Sequence, residues 1–478
     1  MKIHTTISSS IRPPKSALIY KWSSCAQYVG ICLCLFLLML VTPGMAQQTP
    51  EKEISDTVEI LCPELVRINR ENPLSPDQKD VLDRCGEVKI RSEEGFPSLS
   101  EAQVEGLRGM TSEETSAMGT MSVEITYAQA AAISGRLVTL RGIGTAGLAS
   151  GFDYRRMDPP LFAGPVTYYA AADDSGMQSI FQMGRLGAFI NGSFTTGDKD
   201  STSFEPGFDF DNWGMTAGMD YRLMENLVLG LALGYSDTET ELDDSAGDID
   251  SDGYAVSLYG IYNIDALYLD AIATYGSQDY DTVRNVRYTV NVPVDQTFLG
   301  DSESDEYSFS LGAGYDFNQS GFTYGPYLQF NYLKTEIDSY TERLARVNSD
   351  PGSGLALSFD DQNIESFTSV VGGQASYAVG TGFGVLRPHV RLDWEHEYSN
   401  DQRLIKARFL NVPDDPVAIG NNLILIPTKD PDRDFFNLGL GVSATLPRGI
   451  MAFVDYATIL GLEDIDLHQI AGGLRLEF

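Results

Sequence analysis

Three things are scarce in this sequence: basic residues, cysteines and long apolar runs. Only 33 of its 478 residues are Lys or Arg, against 67 Asp or Glu, and the formal net charge is −34. A surface of this sign repels nucleic acid, so we expect no nucleic-acid partner. Beyond residue 46 no stretch is apolar for long enough to span a membrane as a helix. A transmembrane barrel stays open as a fold class, because its strands alternate apolar and polar residues.

Residues 1–46 have the pattern of a cleaved export signal. Basic residues precede an apolar run from Val29 to Val41, and small residues at Gly44 and Ala46 suit cleavage after Ala46. The run is shorter than the roughly 17–25 residues that a membrane anchor needs, which makes an anchor the less favoured alternative. We therefore expect export through the inner membrane and removal of residues 1–46.

Removal of that segment would leave two of the five cysteines, Cys62 and Cys85. Exported chains fold in an oxidising compartment, so we expect these two thiols to form one disulfide. Residues 47–119 are polar and acidic, and Ser75-Pro76-Asp77-Gln78 is a helix-start signal. We interpret 47–119 as a small helical module that the disulfide closes.

A longer helix is predicted from Thr120 to Arg141, a stretch that contains no Pro. At about 1.5 Å per residue its length is close to the thickness of a membrane. Its small and polar residues suit a narrow wet passage better than lipid, and Arg136 and Arg141 would need acidic partners there. We predict that residues 120–184 form a lumen helix and a linker; a helix packed outside the barrel is the alternative.

From residue 185 to 478 the apolar period changes to two, which is typical of strands. Twelve strand candidates recur, near 185–195, 213–222, 227–236, 253–262, 267–277, 306–317, 322–335, 365–379, 384–397, 435–446, 450–459 and 468–478. The connections between them alternate short and long without a break. This is the pattern of an outer-membrane barrel with short periplasmic turns and longer external loops. We therefore predict an all-β transmembrane barrel of twelve antiparallel strands, surrounded by outer-membrane lipid.

The strand candidate at 384–397 separates its two faces most clearly. Leu392 and Trp394 lie on an apolar face, which we assign to lipid, and His396 interrupts that face. Charged residues lie on the opposite face, which we assign to the lumen. The predicted lumen network comprises Arg136, Arg141, Arg387, Arg391, Asp393 and Glu395.

The long connection at 237–252 is rich in acids and ends in a motif similar to the opening of a calcium loop. Asp248, Asp250 and Asp252 alternate along it, but the position where an EF-hand has Glu is Tyr259. Solvated charge is the ordinary interpretation of such a run. Weak calcium binding at the three aspartates is the alternative, and we predict no other cofactor.

Sequence motifs for catalysis are missing. No histidine after residue 46 has a serine two residues later, the spacing of the outer-membrane phospholipase, and no Gly-x-Ser-x-Gly sequence is present. His396 is close in sequence to Asp393 and Glu395, but strand alternation points it away from both. We expect a protein that is not an enzyme.

The chain ends on Phe478, which shares a strand face with Leu474 and Leu476. This ending resembles the terminal signal by which the barrel assembly machinery recognises its substrates. With the twelve strands and the preceding helix, residues 120–478 resemble the autotransporter β-domain, here with a short helical module in place of a long passenger. The resemblance implies surface display or interaction with an unknown surface ligand; the alternative function is an outer-membrane channel gated by its lumen helix.

Overall fold

A computed structural model describes residues 61–88 except 64 and 71, the single positions 100, 103, 106, 108 and 109, and the ranges 114–146, 185–202, 206–399, 401–412, 422–446 and 449–477. The expected signal segment, the linker 147–184 and Phe478 lie outside the described residues. Among those residues, no helix combines the length and the apolarity that a membrane crossing requires.

Twelve antiparallel strands form a closed barrel, and the predicted fold class is confirmed. They are β1 (Leu186–Lys199), β2 (Phe208–Met224), β3 (Leu227–Leu242), β4 (Gly247–Ile264), β5 (Leu267–Thr289), β6 (Pro293–Tyr315), β7 (Phe322–Ile337), β8 (Gln362–Tyr377), β9 (Gly384–Glu397), β10 (Asp434–Thr445), β11 (Ile450–Leu460) and β12 (Ile465–Glu477). Each pairs with the next in sequence, and β1 pairs with β12 from Gly187↔Glu477 to Lys199↔Ile465, which closes the barrel.

The two ends of the barrel differ in the length of their connections. At one end, which we call the turn end, strands are joined by tight turns; Gly321, at a φ of 82°, makes the turn before β7. Only a residue without a side chain adopts that backbone conformation readily. The opposite end, the loop end, carries the longer connections. Short turns are periplasmic and long loops external in outer-membrane barrels, so we expect the loop end to face the outside of the cell.

The alternation of side chains along β3 shows which face meets lipid. Leu229, Leu231 and Leu233 point outward and are 43%, 60% and 67% exposed, whereas Val228 and Ala232 point inward and are buried. An apolar belt on the outside and small or polar residues inside is the arrangement that a bilayer stabilises.

Several strands run further toward the loop end than the sequence analysis predicted. β5 and β6 stay paired from Leu267↔Tyr315 to Thr289↔Pro293, across the region 278–305 that was predicted as a loop. Likewise β3 and β4 occupy most of the predicted loop 237–252. The prediction was wrong because outward acids alternate here with buried inward residues such as Ile249, and the acids alone suggested a loop.

Two described helices accompany the barrel: α1 (Pro76–Val88) and α2 (Glu114–Ala146). Residues 61–63 and 65–70 are also helical. α2 has 33 residues, so it begins and ends outside the predicted range 120–141 and is about 50 Å long. It packs inside the barrel against β1–β5 and β7. The predicted lumen location is therefore correct, and the predicted boundaries are too narrow.

A small antiparallel sheet covers part of the loop end. Its strands are Tyr340–Thr341, Leu357–Phe359, Leu404–Phe409 and Leu423–Pro427. We call this sheet, α1 and the helical residues 61–70 the external cap. The cap shares one hydrophobic core with the start of α2 and the extended strands, through Leu61, Leu65, Val81, Met118, Val286, Phe298, Leu357, Phe409 and Ile424. The apolar stretch Leu423–Pro427 is a core strand of this sheet, with Ile424 and Ile426 buried.

Candidate functional site: the lumen and its external cap

A buried ion pair joins α2 to the barrel wall near the turn end. Arg136 donates from Nε and Nη2 to the two carboxylate oxygens of Asp220, at 2.7 and 2.8 Å, and both side chains are almost completely buried. The hydroxyl of Tyr259 donates to the same carboxylate at 3.0 Å. Gly187 lies against this pair, and a side chain there would collide with Arg136. The bidentate geometry fixes both the height and the rotation of the helix.

A second cation of α2 meets the wall one turn further on. Arg141 donates to Asp270 at 3.0 Å and to Gln374 at 3.3 Å, and its guanidinium lies 3.6 Å from the ring centre of Tyr268. Asp270 and Gln374 belong to β5 and β8, so this arginine touches walls on two sides of the lumen.

Toward the loop end the helix is held by neutral donors. Ser122 and Thr126 donate to the carboxylate of Glu306 at 2.8 and 2.6 Å, and Thr216 donates to Gln129 at 2.8 Å. Glu306 was not among the residues singled out from sequence. Its position on the inward side of β6 was the available signal, but that region had been predicted as the margin of a loop.

The remaining predicted lumen residues form a separate group on the wall. Arg391 donates to Asp393 at 2.9 Å and lies over the ring of Tyr327. Asn437 bridges Asp393 and Glu395 with donors at 2.9 and 2.8 Å. Arg387 lines the same lumen, and no ion pair of its side chain occurs among the described residues. The six residues predicted as one network therefore divide into a helix-bound pair and a wall group.

The lumen is not filled by α2. A cavity of about 2760 Å³ lies between the helix and a wall formed mainly by β8–β12, with residues of β1, β2 and β7 at its margins. It extends from the turn at Ser320 and Gly321 to Lys429 and Asp464 at the loop end. Small residues leave this space, including Ala131 on the helix and Gly439 on the wall. The helix thus lies off the barrel axis, with a wide passage beside it.

The external cap is fastened to the loop end by polar contacts as well as by its core. A disulfide joins Cys62 to Cys85. Asp80 of α1 accepts from the backbone N–H groups of Gly352 and Gly354 at 3.1 and 2.9 Å. Arg284 of β5 donates to Glu342 at 2.7 Å and to the carbonyl oxygen of Gly109 at 2.7 Å. These contacts place the described part of the helical module at the external end of the barrel.

The three aspartates considered for calcium lie on β4, and not in a loop. Asp248, Asp250 and Asp252 point outward above the apolar belt, opposite Glu241, Glu239 and Asp237 of β3. Burial, followed by repulsion from Asp250 and Glu241, raises the pKa of Asp248. Among the described residues no group of three or more His, Cys, Asp or Glu side chains is arranged to hold a metal ion. Weak calcium association with this acidic strand pair stays a prediction.

At the end of the last strand, Leu474 and Leu476 point outward and are 54% and 39% exposed, while Arg475 points into the lumen. Arg475 donates to the carbonyl oxygen of Gly135 at 2.9 Å and lies over the ring of Phe453. The two leucines of the predicted assembly signal therefore face lipid, and the residue between them contacts α2; Phe478 lies outside the described residues.

The family model of the autotransporter beta-domain matches residues 188–457. Esterase EstA of Pseudomonas aeruginosa is 26% identical over 299 residues, which are 62% of this chain and 43% of EstA. An extracellular serine protease of Serratia marcescens is 27% identical over 278 residues, 57% of this chain and 24% of the protease. The chain thus spans less than half the length of these relatives.

Among solved structures, the translocator domain of the autotransporter NalP from Neisseria meningitidis aligns with this chain. It has a TM-score of 0.47 and 11% identity, and the alignment covers 72% of this chain and 97% of that domain. The family match takes in more than half of the chain and coincides with the closed twelve-stranded barrel that holds α2. The chain belongs to the autotransporter β-domain family, whose barrels reside in the outer membrane.

Proposed function

We propose that this chain displays its external cap at the cell surface as a binding module for a ligand not yet identified, a function that requires no reaction. One observation carries the proposal. In the part of the cap that the structure describes, Leu61 and Val81 belong to the same hydrophobic cluster as Val286, Phe298 and the external sheet, a core continuous with the loop end of the barrel. A module built into the rim in this way is suited to being presented rather than released.

The proposal is tested by epitope insertion. Val347, in the connection between β7 and β8, is 96% exposed, so a short epitope after it leaves the core intact. We expect antibody to label intact cells that carry this insertion. The matched control is an insertion after Ser320, in a turn-end connection, which should be labelled only after the outer membrane is permeabilised. The reverse pattern would contradict display of the cap.

The named activities of the esterase and protease relatives are not proposed for the cap. Each relative is matched over less than half of its own length, so their activities belong to those proteins. None of the described residues of the cap was identified from the sequence as a candidate for catalysis. Insertion through the assembly machinery, directed by Leu474, Leu476 and Phe478, is part of the proposal.

A second candidate function, a channel gated by α2, is supported by the cavity beside the helix. Its extent from Ser320 to Asp464 follows most of the barrel's height. Conductance of the full chain in a planar bilayer separates the two candidates. A steady current supports transport of small solutes, whereas a closed barrel supports display alone.

A further inference from the structure

Three side chains with complementary chemistry lie in one row on the outer face of the barrel. Ser369 of β8 is the direct cross-strand partner of His396 of β9, and His396 is the direct partner of Asp434 of β10. Side chains of directly opposed residues on one face of a sheet have Cβ atoms about 4.5–5.5 Å apart. A serine, a histidine and an aspartate are therefore adjacent, although the sequence separates them by dozens of residues.

Asp434 forms a hydrogen bond with Nδ1 of the His396 imidazole. The distance from His396 Nδ1 to Asp434 Oδ1 is 2.8 Å, and Trp394 donates to the same oxygen at 3.0 Å. Within the described part of the chain, His396 Nε2 has no hydrogen-bond partner. A carboxylate on Nδ1 with Nε2 available is the arrangement that makes histidine a general base for a serine.

Tyr398 joins the serine to the histidine. Its hydroxyl is 3.0 Å from Ser369 Oγ, and its ring meets the ring of His396 edge-on, with centroids 4.7 Å apart. The backbone N–H of Tyr398 donates to the carbonyl oxygen of Phe367 at 2.9 Å. The Glu397 carboxylate accepts from the N–H groups of Phe367 and Ser399 at 3.0 and 2.7 Å. This segment is thus fixed where its phenol can face a group bound at Ser369.

The row lies at the loop-end margin of the apolar belt. Val371, Leu392 and Phe436, further toward the turn end on the same three strands, are 49%, 52% and 48% exposed. Ser369 itself is only 6% exposed, because Tyr398 covers it. Asp434, at the other end of the row, is 48% exposed. A buried serine beside a lipid-facing wall favours a flexible acyl chain that enters from the membrane.

We propose that Ser369, His396, Asp434 and Tyr398 form a hydrolase site for acyl esters of membrane lipids at the outer edge of the bilayer. Ser369 is the nucleophile, His396 Nε2 the general base, and Asp434 orients the imidazole. Tyr398 donates a hydrogen bond from its phenol O–H to the oxyanion and keeps its proton. This activity is independent of the display function and departs from the expectation of a protein without catalysis.

The reaction consumes one ester and one water. Ser369 turns about χ1 from Tyr398 to His396, and its Oγ attacks the ester carbonyl carbon while the hydroxyl proton passes to Nε2. The tetrahedral intermediate collapses with cleavage of the carbon–alkoxy bond, and Nε2 protonates the leaving alcohol. Water then attacks the acyl-serine, its proton passes to Nε2 and on to Ser369 Oγ, and the fatty acid leaves.

The site is tested on the full chain folded in detergent micelles, with a serine-reactive fluorophosphonate and a long-chain p-nitrophenyl ester. We expect the probe on the peptide that contains Ser369, and hydrolysis that Ser369→Ala abolishes. His396→Ala should lower both by at least about 100-fold. Tyr398→Phe should lower kcat by roughly 100- to 1,000-fold with little change in KM.

His468→Ala is the matched control. His468 also lies on the outer face near the loop end, where its Nδ1 is 2.9 Å from the Tyr456 hydroxyl, and no serine completes its row. This variant should keep full labelling and hydrolysis. A barrel that shows the unheated gel shift of a folded protein yet takes no probe on Ser369 overturns the proposal, as does equal labelling of the His396→Ala and His468→Ala variants.

A thiol variant keeps the test decisive if Ser369→Ala fails to fold. In Ser369→Cys, a neighbouring imidazole promotes formation of the thiolate. We expect alkylation of the introduced thiol by iodoacetamide to be faster than in the double variant that also carries His396→Ala. Equal rates would show that the two side chains do not interact and would reject the site.

Discussion

Arg136 is completely buried between α2 and the barrel wall, with Asp220 as its bidentate partner. We predict that Arg136→Glu destabilises the seated helix by about 3–5 kcal/mol, because it leaves Asp220 buried without a cation and adds a second carboxylate. The measurement is the rate at which protease cleaves α2 in the folded barrel, together with the bilayer conductance, and both should rise. Combining Arg136→Glu with Asp220→Arg restores an ion pair and should reverse much of the effect; unchanged proteolysis in the single variant would show that the pair does not seat the helix.

Phe478 provides a second test with a single residue. The preceding outward residues Leu474 and Leu476 face lipid, and the terminal aromatic continues their spacing of two. We predict that deletion of Phe478 lowers the yield of folded barrel in the outer membrane, measured by fractionation and the unheated gel shift. Phe478→Trp keeps an aromatic side chain and should insert at nearly the normal level. Equal yields for the deletion and the substitution would exclude an assembly role for this residue.

Single residues also show what a sequence can and cannot predict. The assignment of His396 to the outer face followed from alternation alone and agrees with the structure. The neighbours of His396 did not follow, because Ser369 and Asp434 are brought to it by the register of three strands. The register between strands depends on turn geometry and on packing across the whole barrel. The pattern of residues within a single strand does not determine it.

At the scale of elements, the disulfide between Cys62 and Cys85 closes a loop with a sequence separation of 23 residues. Such a link contributes roughly 2–4 kcal/mol. We predict that replacing both cysteines with serine makes the cap sensitive to protease and leaves the heat resistance of the barrel unchanged. Thiol labelling under denaturing, non-reducing conditions checks the starting state, and two reactive thiols per chain would contradict the disulfide.

The stability of the extended β3–β4 and β5–β6 hairpins is expected to depend on pH. Burial raises the pKa of Asp281, as do its hydrogen bond with Asp301 and the charge of that residue, and the pKa of Asp248 is raised in the same direction. A carboxyl whose pKa is raised on folding binds its proton more tightly in the native state, so stability falls as pH rises from the ordinary value of 3.8 through the folded pKa. We predict slower hydrogen exchange in these strands at about pH 4 than at pH 7, after correction for intrinsic rates, and partial protection by millimolar calcium at pH 7.

Asparagine variants supply the control for the acidic strands. Replacing Asp248 and Asp281 with Asn removes both titrations while keeping similar side-chain shapes. Their exchange should lose most of its dependence on pH and on calcium. If the parent chain shows neither dependence, the mutual repulsion of these acids does not affect the strands and calcium association is rejected.

At the scale of the whole molecule, the alternation of turn and loop lengths was sufficient to predict twelve strands and a closed barrel. This pattern was not sufficient to predict the position of α2 within the lumen, because the lumen is wider than one helix. Particular contacts determine which part of the barrel wall α2 packs against. Asp220 and Asp270 lie on β2 and β5, and the ion pairs of Arg136 and Arg141 with these residues hold the helix against that half of the wall. The lumen acids were identifiable from sequence as inward residues, but the choice among them was not.

The off-axis position of α2 gives the last prediction. Gln129 and Thr216 share a hydrogen bond of 2.8 Å where the helix touches β2 at the margin of the cavity, whereas Ala132 and Gly439 line the cavity and share no hydrogen bond among the described contacts. We expect Gln129→Cys and Thr216→Cys to be joined in high yield by a short bis-maleimide. The pair Ala132→Cys and Gly439→Cys should react only with a longer reagent that spans the void. Joining the first pair should leave a conducting passage in a bilayer, because it fixes the helix where it already lies. Efficient short-range linkage of the second pair would instead place the helix on the barrel axis, and the cavity would then not be a property of the folded protein.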